Sequence, residues 1–333
     1  MIIDTHAHFV PQTMLDDVVS AKAHFDNIEV LREDKVFKLA FMGGAPTRPI
    51  MPKLRELETR EAWVTENGID IQVSGGWLDS FAYNVPADEG AAWSRFMNEH
   101  LLEQMRAKPF MEPLATVPMQ DGKLAADVLG EAINAGFSGA MIGTQPKGLS
   151  GNLDDPDLDP FWQTASDLEA TIYLHPMFGC GDDRLLDYDM INAVGRGVDT
   201  TTAVARMIFA GHFTKYSGMK MILSHGGGAL PYILGRMERN YLMHKDDGYA
   251  DPAEQMQKLW YDTVLFDPRT LRFLAECFGA DRIVLGSDYP FPIGDLTPCN
   301  VVRQANFSEI DTSAILGDNA VRLFRLEGRC GTC

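Results

Sequence analysis

Short apolar, β-branched runs recur along this chain with helix-periodic stretches between them. Ile2–Thr5, Ile69–Ser74, Met111–Val117, Phe137–Ile142, Thr171–Leu174, Met219–Leu223, Tyr261–Phe266 and Ile283–Leu285 read as buried strands, several of them entered through Gly-containing helix stops such as Glu66-Asn67-Gly68. Between them, Leu54–Glu66, Trp93–Arg106, Gly122–Ala135, Pro160–Leu168, Thr200–Phe213, Leu230–Leu242 and Pro268–Phe278 carry apolar residues at helical spacing. Strand then helix, repeated about eight times, predicts a parallel sheet closed into a (β/α)8 TIM barrel, an α/β fold. Two segments exceed ordinary loop length: Phe9–Lys53 after the first strand and Gly179–Val198 after the fifth. Insertions at strand C-terminal ends are where barrels build pockets. The expected organisation is one domain over residues 1–333, with 9–53 as an insertion within it.

At 333 residues, 45% hydrophobic and 23% charged, the chain has the composition of a globular protein with a large core. A net charge of -18 argues against nucleic acid and anionic membrane surfaces as partners, since both would repel it. No apolar run is long enough for a membrane-spanning helix. The N-terminal residues lack the basic and apolar regions of a leader, so a cytoplasmic location is expected. Cys180, Cys277 and Cys299 are scattered as free thiols would be, and Cys330 and Cys333 form a weak C-x-x-C signal at the C-terminus.

The chemistry concentrates at strand ends. His6 and His8 are two residues apart at the end of strand one, so both imidazoles project from the same face. His175 ends strand five, His225 ends strand six ahead of three glycines, and Asp288 follows strand eight. Singly, each has an ordinary explanation: a surface or core histidine, or a capping or salt-bridged aspartate. Together they fall on the C-terminal face, where barrel active sites sit, and their donor types suit a divalent ion. The five groups are therefore candidate ligands of one divalent ion, for which zinc is the commonest fit.

The segments DTHAHFVP, YLHP, SHGGGALPYILGR, DTVLFDP and RIVLGSDYPFPIGDLTP resemble the amidohydrolase superfamily, in particular its aminocarboxymuconate semialdehyde decarboxylase-like branch. The resemblance runs to about Leu326 and is densest from His225 to Pro298. It implies a metal-dependent nonoxidative decarboxylase of an aromatic or muconate-type acid; hydrolysis or hydration is the alternative, and an inactive metal-binding scaffold a third reading. It also implies that His6, His8, His175 and Asp288 hold one ion per subunit, Zn2+ or another divalent metal such as Mn2+, that His225 acts on metal-bound water, that His225 and Asp288 are the catalytic residues, and that Arg236 binds substrate carboxylate from a neighbouring subunit, hence a homodimer. Arg48, with Arg55 as a second match, would hold a carboxylate from the first insertion. Trp77 and Phe81, at the exit of strand two, either shape the pocket or serve ordinary packing. The chain departs from the family after strand five, where it reads YDMINAVGRGVDTTTA with Arg196 and Asp199. Arg184 and Arg196 there are either solvated charges or anion contacts. Lys147 lies beyond strand four, so a carbamylated two-metal site is not expected.

Overall fold

The computed structural model describes residues 1–148, 150–177 and 182–329. Cys180, Cys330 and Cys333 therefore lie outside the described residues, as does the start of the expected second insertion. The strands are β1 (Ile3–His8), β2 (Ile28–Glu33), β3 (Val36–Phe41), β4 (Ile71–Gly75), β5 (Met111–Pro113), β6 (Gly139–Gly143), β7 (Thr171–His175), β8 (Lys220–Leu223), β9 (Trp260–Asp262) and β10 (Ile283–Val284).

Parallel pairing runs in the order β1-β4-β5 and β6-β7-β8-β9-β10. Two parallel bridges, Ala115 with Ala140 and Ala7 with Tyr289, join these halves into a closed barrel. At the second junction Thr5 N donates to Leu285 O at 2.8 Å, Asp288 N to His6 O at 2.8 Å and His8 N to Tyr289 O at 2.8 Å. Closure leaves the barrel no open edge. Strands β1, β4 and β7 are buried along their whole length, which is why such segments need not alternate apolar with polar residues.

The helices form the outer layer, from Ala87–Arg106 and Gly122–Ala135 round to Pro268–Phe278. Gly122–Ala135 shows why these boundaries fall where they do. Asp121 caps it by accepting from Lys123 N and Leu124 N, and Gly136 ends it in the left-handed region at φ 101°.

The expected barrel is present, with its strand boundaries shifted. Met111–Val117 is regular only to Pro113; beyond it Leu114 N still donates to Ser74 O and Ala115 bridges Ala140, without a continuous ladder. Tyr261–Phe266 is regular only from Trp260 to Asp262, and Ile283–Leu285 to Val284. The helix expected at Thr200–Phe213 begins earlier, at Arg196, preceded by a π-helical turn over Ile191–Gly195. In the first insertion the antiparallel pair β2–β3 forms a hairpin, with Ile28 opposite Phe41 and Glu33 opposite Val36. No helix among the described residues is long and apolar enough to cross a membrane.

Candidate active site

His6 and His8 occupy alternate positions of β1, and His175 is the last residue of β7. His225 opens the turn after β8, and Asp288 follows β10. All five side chains meet at the C-terminal mouth of the barrel. Asp288 Oδ1 lies 3.3 Å from His6 Nε2, 3.1 Å from His8 Nε2 and 3.8 Å from His175 Nε2. Its other oxygen, Oδ2, lies 3.6 Å from His225 Nε2. Imidazole centroids are 4.9 Å apart for His8 and His175 and 5.1 Å for His175 and His225.

Each of three imidazoles is oriented through its far nitrogen. His6 Nδ1 is 2.7 Å from Asp262 Oδ2, His8 Nδ1 is 3.1 Å from Gly76 O, and His175 Nδ1 is 2.9 Å from Pro176 O. Each of these acceptors requires the proton on Nδ1, leaving Nε2 a bare lone pair turned toward the shared centre. His6 Nε2 and His175 Nε2 are buried with no hydrogen-bond partner. Such orphaned buried acceptors are costly unless something cationic meets them. One donor atom each from His6, His175, His225 and Asp288 lies within 4.8 Å of the others. Tetrahedral donors around zinc are about 3.3 Å apart, so these spacings fit a single divalent ion.

Burial works against charge on His8 and His175 and holds both below the ordinary histidine range. Asp288 is also buried, which alone would raise its pKa, but the surrounding imidazoles hold it well below the usual carboxylate value. Neutral His8 and His175 beside an ionised carboxylate suit metal binding, whereas at His6 burial is outweighed by Asp288 and Asp262, which raise its pKa.

A layer of supporting contacts fixes these groups. Asp262 Oδ2 also accepts from the Tyr173 hydroxyl at 2.9 Å, and its Oδ1 accepts from Gly226 N at 2.9 Å and Val264 N at 3.1 Å. Asp4 accepts from Ser287 N, Ser287 Oγ and Gln72 Nε2 at 2.9, 2.6 and 2.8 Å. Burial nonetheless pushes its pKa up to about 6. Arg60 is fully buried; it donates to Gln72 Oε1 and to the His8 carbonyl and lies over the Tyr289 ring at 4.6 Å. Gly286 lets β1 approach: a Cβ there would stand 3.0 Å from His6 Cβ and 3.1 Å from Asp262 Cβ. His225 and Asp288 themselves adopt left-handed backbone, at φ 54° and 59°. Strain of that kind, costing about 1–3 kcal/mol, collects at functional sites.

Above the cluster opens a cavity of about 350 Å³ with His175 and Asp288 in its wall. Arg48, Trp77, Arg196 and Asn192 supply its polar and aromatic lining, and Met51, Leu54, Phe291 and Ile293 its apolar lining. The size and the mixture suit a small organic acid. Arg48 reaches Asp79 Oδ2 at 3.2 Å and sits 5.8 Å from the Trp77 ring centroid.

Of the residues expected to bind substrate, Arg48 and Trp77 line this cavity. Phe81 does not: it is 1% exposed and packs on Tyr83 with centroids 5.6 Å apart, so its expected wall position is corrected to one in the core. Arg236 is exposed on the helix Leu230–Met243 and does not line the cavity of its own chain. Arg55 turns to Gln12 and the Lys35 carbonyl instead. Asp262, Arg60 and Asn192 were not anticipated, although DTVLFDP already contains the first of them.

A family model described as Amidohydrolase matches residues 3–326. This chain belongs to the amidohydrolase family. Among its relatives is 2-amino-3-carboxymuconate-6-semialdehyde decarboxylase of Dictyostelium discoideum, 29% identical, with 98% of this chain and 92% of that protein aligned. Gamma-resorcylate decarboxylase of a Polaromonas species is 28% identical, covering 92% of this chain and 98% of the relative. The solved fold is shared with 5-carboxyvanillate decarboxylase from Sphingomonas paucimobilis, at TM-score 0.81, 23% identity and coverage of 97% and 98%. It is shared too with a dihydroxybenzoic acid decarboxylase from Polaromonas solved with bound manganese, at TM-score 0.80, 24% identity and 99% coverage of both chains.

Proposed function

We propose that this protein is a metal-dependent nonoxidative decarboxylase (carboxy-lyase) acting on an aromatic or muconate-type carboxylic acid. The observation that carries this reading is the set of bare Nε2 atoms converging with Asp288 beneath an arginine-bearing cavity. The names of the aligned relatives point the same way. In it, His6, His8, His175 and Asp288 hold one divalent ion, zinc or manganese, and His225 stands beside it. The bound ion would act as a Lewis acid, stabilising negative charge that develops on substrate oxygen. The reading takes the chain as a single barrel domain, located in the cytoplasm. It also includes a homodimer, with the exposed Arg236 serving the neighbouring subunit's cavity.

The chain's own groups divide the remaining work. Arg48 orients a substrate carboxylate through a charge-assisted fork. The wall of Leu54, Met51 and Phe291 takes the conjugated face of the acid and sheds water from it. Asp288 uses its two oxygens differently: Oδ1 faces His6 and His8, and Oδ2 faces His225 Nε2. The His225–Asp288 pair can hold a proton and deliver it to the carbon bearing the leaving carboxylate. A C–H bond forms there first; the electrons of the C–CO2 bond then return to the conjugated system as CO2 departs. Solvent restores the proton to the pair.

His225→Asn should lower kcat by at least about a hundredfold, the usual size of a general acid–base contribution, while one metal ion per chain persists. Retained turnover would remove His225 from the reaction, and metal lost with it would make His225 a ligand. Hydration is the second reading, favoured by 24% identity to 2-keto-4-carboxy-3-hexenedioate hydratase of a Sphingobium species over 99% of this chain. Trapping CO2 while tracking incorporation of labelled water into product separates the two.

A further inference from the structure

We propose that Arg196 is a substrate-carboxylate receptor supplied by the same chain as the metal-site residues, and that it selects acids carrying a second carboxylate. The proposal rests on the site just described being the substrate site.

Arg196 enters the cavity from the segment where the chain departs from its family resemblance. The π-helical turn Ile191–Gly195 delivers it as the first residue of the helix Arg196–Phe209. Such turns insert an extra residue, which re-aims the side chains beyond it, and they collect at functional sites. Nε donates to Asn192 Oδ1 at 2.8 Å, and Nη1 lies 3.4 Å from the carbonyl of Pro176, the residue after His175. These contacts fix the guanidinium plane against the wall that also contains His175 and Asp288. Burial works against its charge and the nearby Asp288 favours it. An anionic ligand would add to that favourable side.

Arg48 lines the same cavity from the first insertion. Two guanidiniums, one from the first insertion and one from the start of the helix Arg196–Phe209, therefore line one cavity of about 350 Å³, whose wall also carries His175, Asp189, Asn192 and Asp288 among apolar residues. Asp189 and Asp288 share that wall and Asp79 pairs with Arg48, so the arginines act on a ligand through their hydrogen-bonding forks rather than through a net positive field. A planar acid with one carboxylate would satisfy one arginine and the metal-site end. A planar diacid would also meet Arg196, whose fork matches a carboxylate bidentately.

The test is equilibrium binding, independent of turnover. Benzene-1,3-dicarboxylate and benzoate are titrated calorimetrically into metal-loaded protein: wild type, Arg196→Met, Arg196→Lys and, as a control on the same loop, Arg184→Met. The wild type and the Arg184 variant should bind the diacid roughly ten- to a hundredfold more tightly than the monoacid, the range for one charge-assisted contact. Arg196→Met should erase that preference while leaving benzoate affinity and metal content unchanged, and Arg196→Lys should restore part of it. A preference that survives in Arg196→Met, or a wild type that does not prefer the diacid, overturns the proposal. CO2 release is measured in parallel. Arg196-dependent preference without CO2 from any acid would sink the decarboxylase reading alone; CO2 release with preference unaltered in Arg196→Met would sink only the Arg196 assignment.

Discussion

Replacing Asp262 by Asn tests the metal site through a group that does not reach its centre. The carboxylate is fully buried and accepts four bonds, from His6 Nδ1 at 2.7 Å, Tyr173 OH at 2.9 Å, Gly226 N at 2.9 Å and Val264 N at 3.1 Å. Burial opposes its ionisation, but the His6 bond and charge outweigh that and hold its pKa below the usual carboxylate value. Asn is nearly the same shape and has a single acceptor oxygen. If that oxygen keeps the two backbone donors, the amide NH2 faces His6 Nδ1 and Tyr173 OH. His6 must then move its proton to Nε2, the atom that points at Asp288. A protonated Nε2 cannot ligate. Losing the orienting partner of a metal-binding imidazole costs about 10–100-fold in affinity, and the two mismatched bonds cost about 1–3 kcal/mol of fold stability. The assay is metal content after dialysis against buffered free ion, with urea unfolding alongside. Tyr173→Phe removes one donor and leaves the tautomer alone, so it should retain metal and lose about 1 kcal/mol. Asp262→Asn protein that binds metal within threefold of wild type would refute the tautomer argument.

Other consequences are simpler to measure. Asp121→Ala removes the acceptor for Lys123 N and Leu124 N at the start of the helix Gly122–Ala135 and should cost about 1 kcal/mol in urea unfolding. Arg95 holds Glu131 at 2.7 Å and lowers its pKa, so the pair's stabilisation is present above the unfolded carboxylate pKa and fades as pH falls through the folded one. Because both side chains are about half exposed, Glu131→Gln should cost under about 1 kcal/mol at pH 7 and nothing measurable near pH 3, seen as converging melting curves. Stripping the metal with a chelator should abolish turnover and lower Tm. It should also speed amide exchange in residues 3–8 and 285–289 more than in the strands opposite, and uniform protection would count against a metal held there.

What the sequence made legible was what obeys local periodicity. His6 and His8 announce themselves because period two and a strand end fix their direction before any tertiary contact is known. His175, His225 and Asp288 are legible for the same reason, each closing an apolar run. Asp262 was hidden by a register error. The run from Tyr261 to Phe266 reads as one strand, which puts Asp262 near its start and so near the barrel's bottom. The strand ends at Asp262, and Val264 and Phe266 continue the apolar pattern in a loop where Phe266 is 56% exposed. Arg60 was hidden by composition: on the helix Leu57–Glu66 it looks like one more solvated charge, yet it is the helix's fully buried cation. The cation is tolerated only because Gln72, the His8 carbonyl and the Tyr289 ring come to it from three other segments. Phe81 erred the other way, since an aromatic residue near a strand exit can face either the pocket or the core.

Three of the four proposed ligands also sit on the seam of the barrel. His6 and His8 belong to the first strand and Asp288 to the segment after the last, and the backbone bonds Asp288 N to His6 O and His8 N to Tyr289 O close the ring beside them. Asp4 and Ser287 join the same two segments one layer below. Most of the chain lies between these partners, so the closure entropy of a very long loop has been met before any of them form. An ion ligated by both segments would act across that seam as a clip, present only in the folded state and therefore stabilising it by mass action. Three neutral imidazoles brought together would gain little from one another, and His6 Nε2 and His175 Nε2 are buried without partners. Of the seam residues named, His6 thus keeps a buried atom that the fold leaves unmet, and an ion shared with Asp288 would meet it.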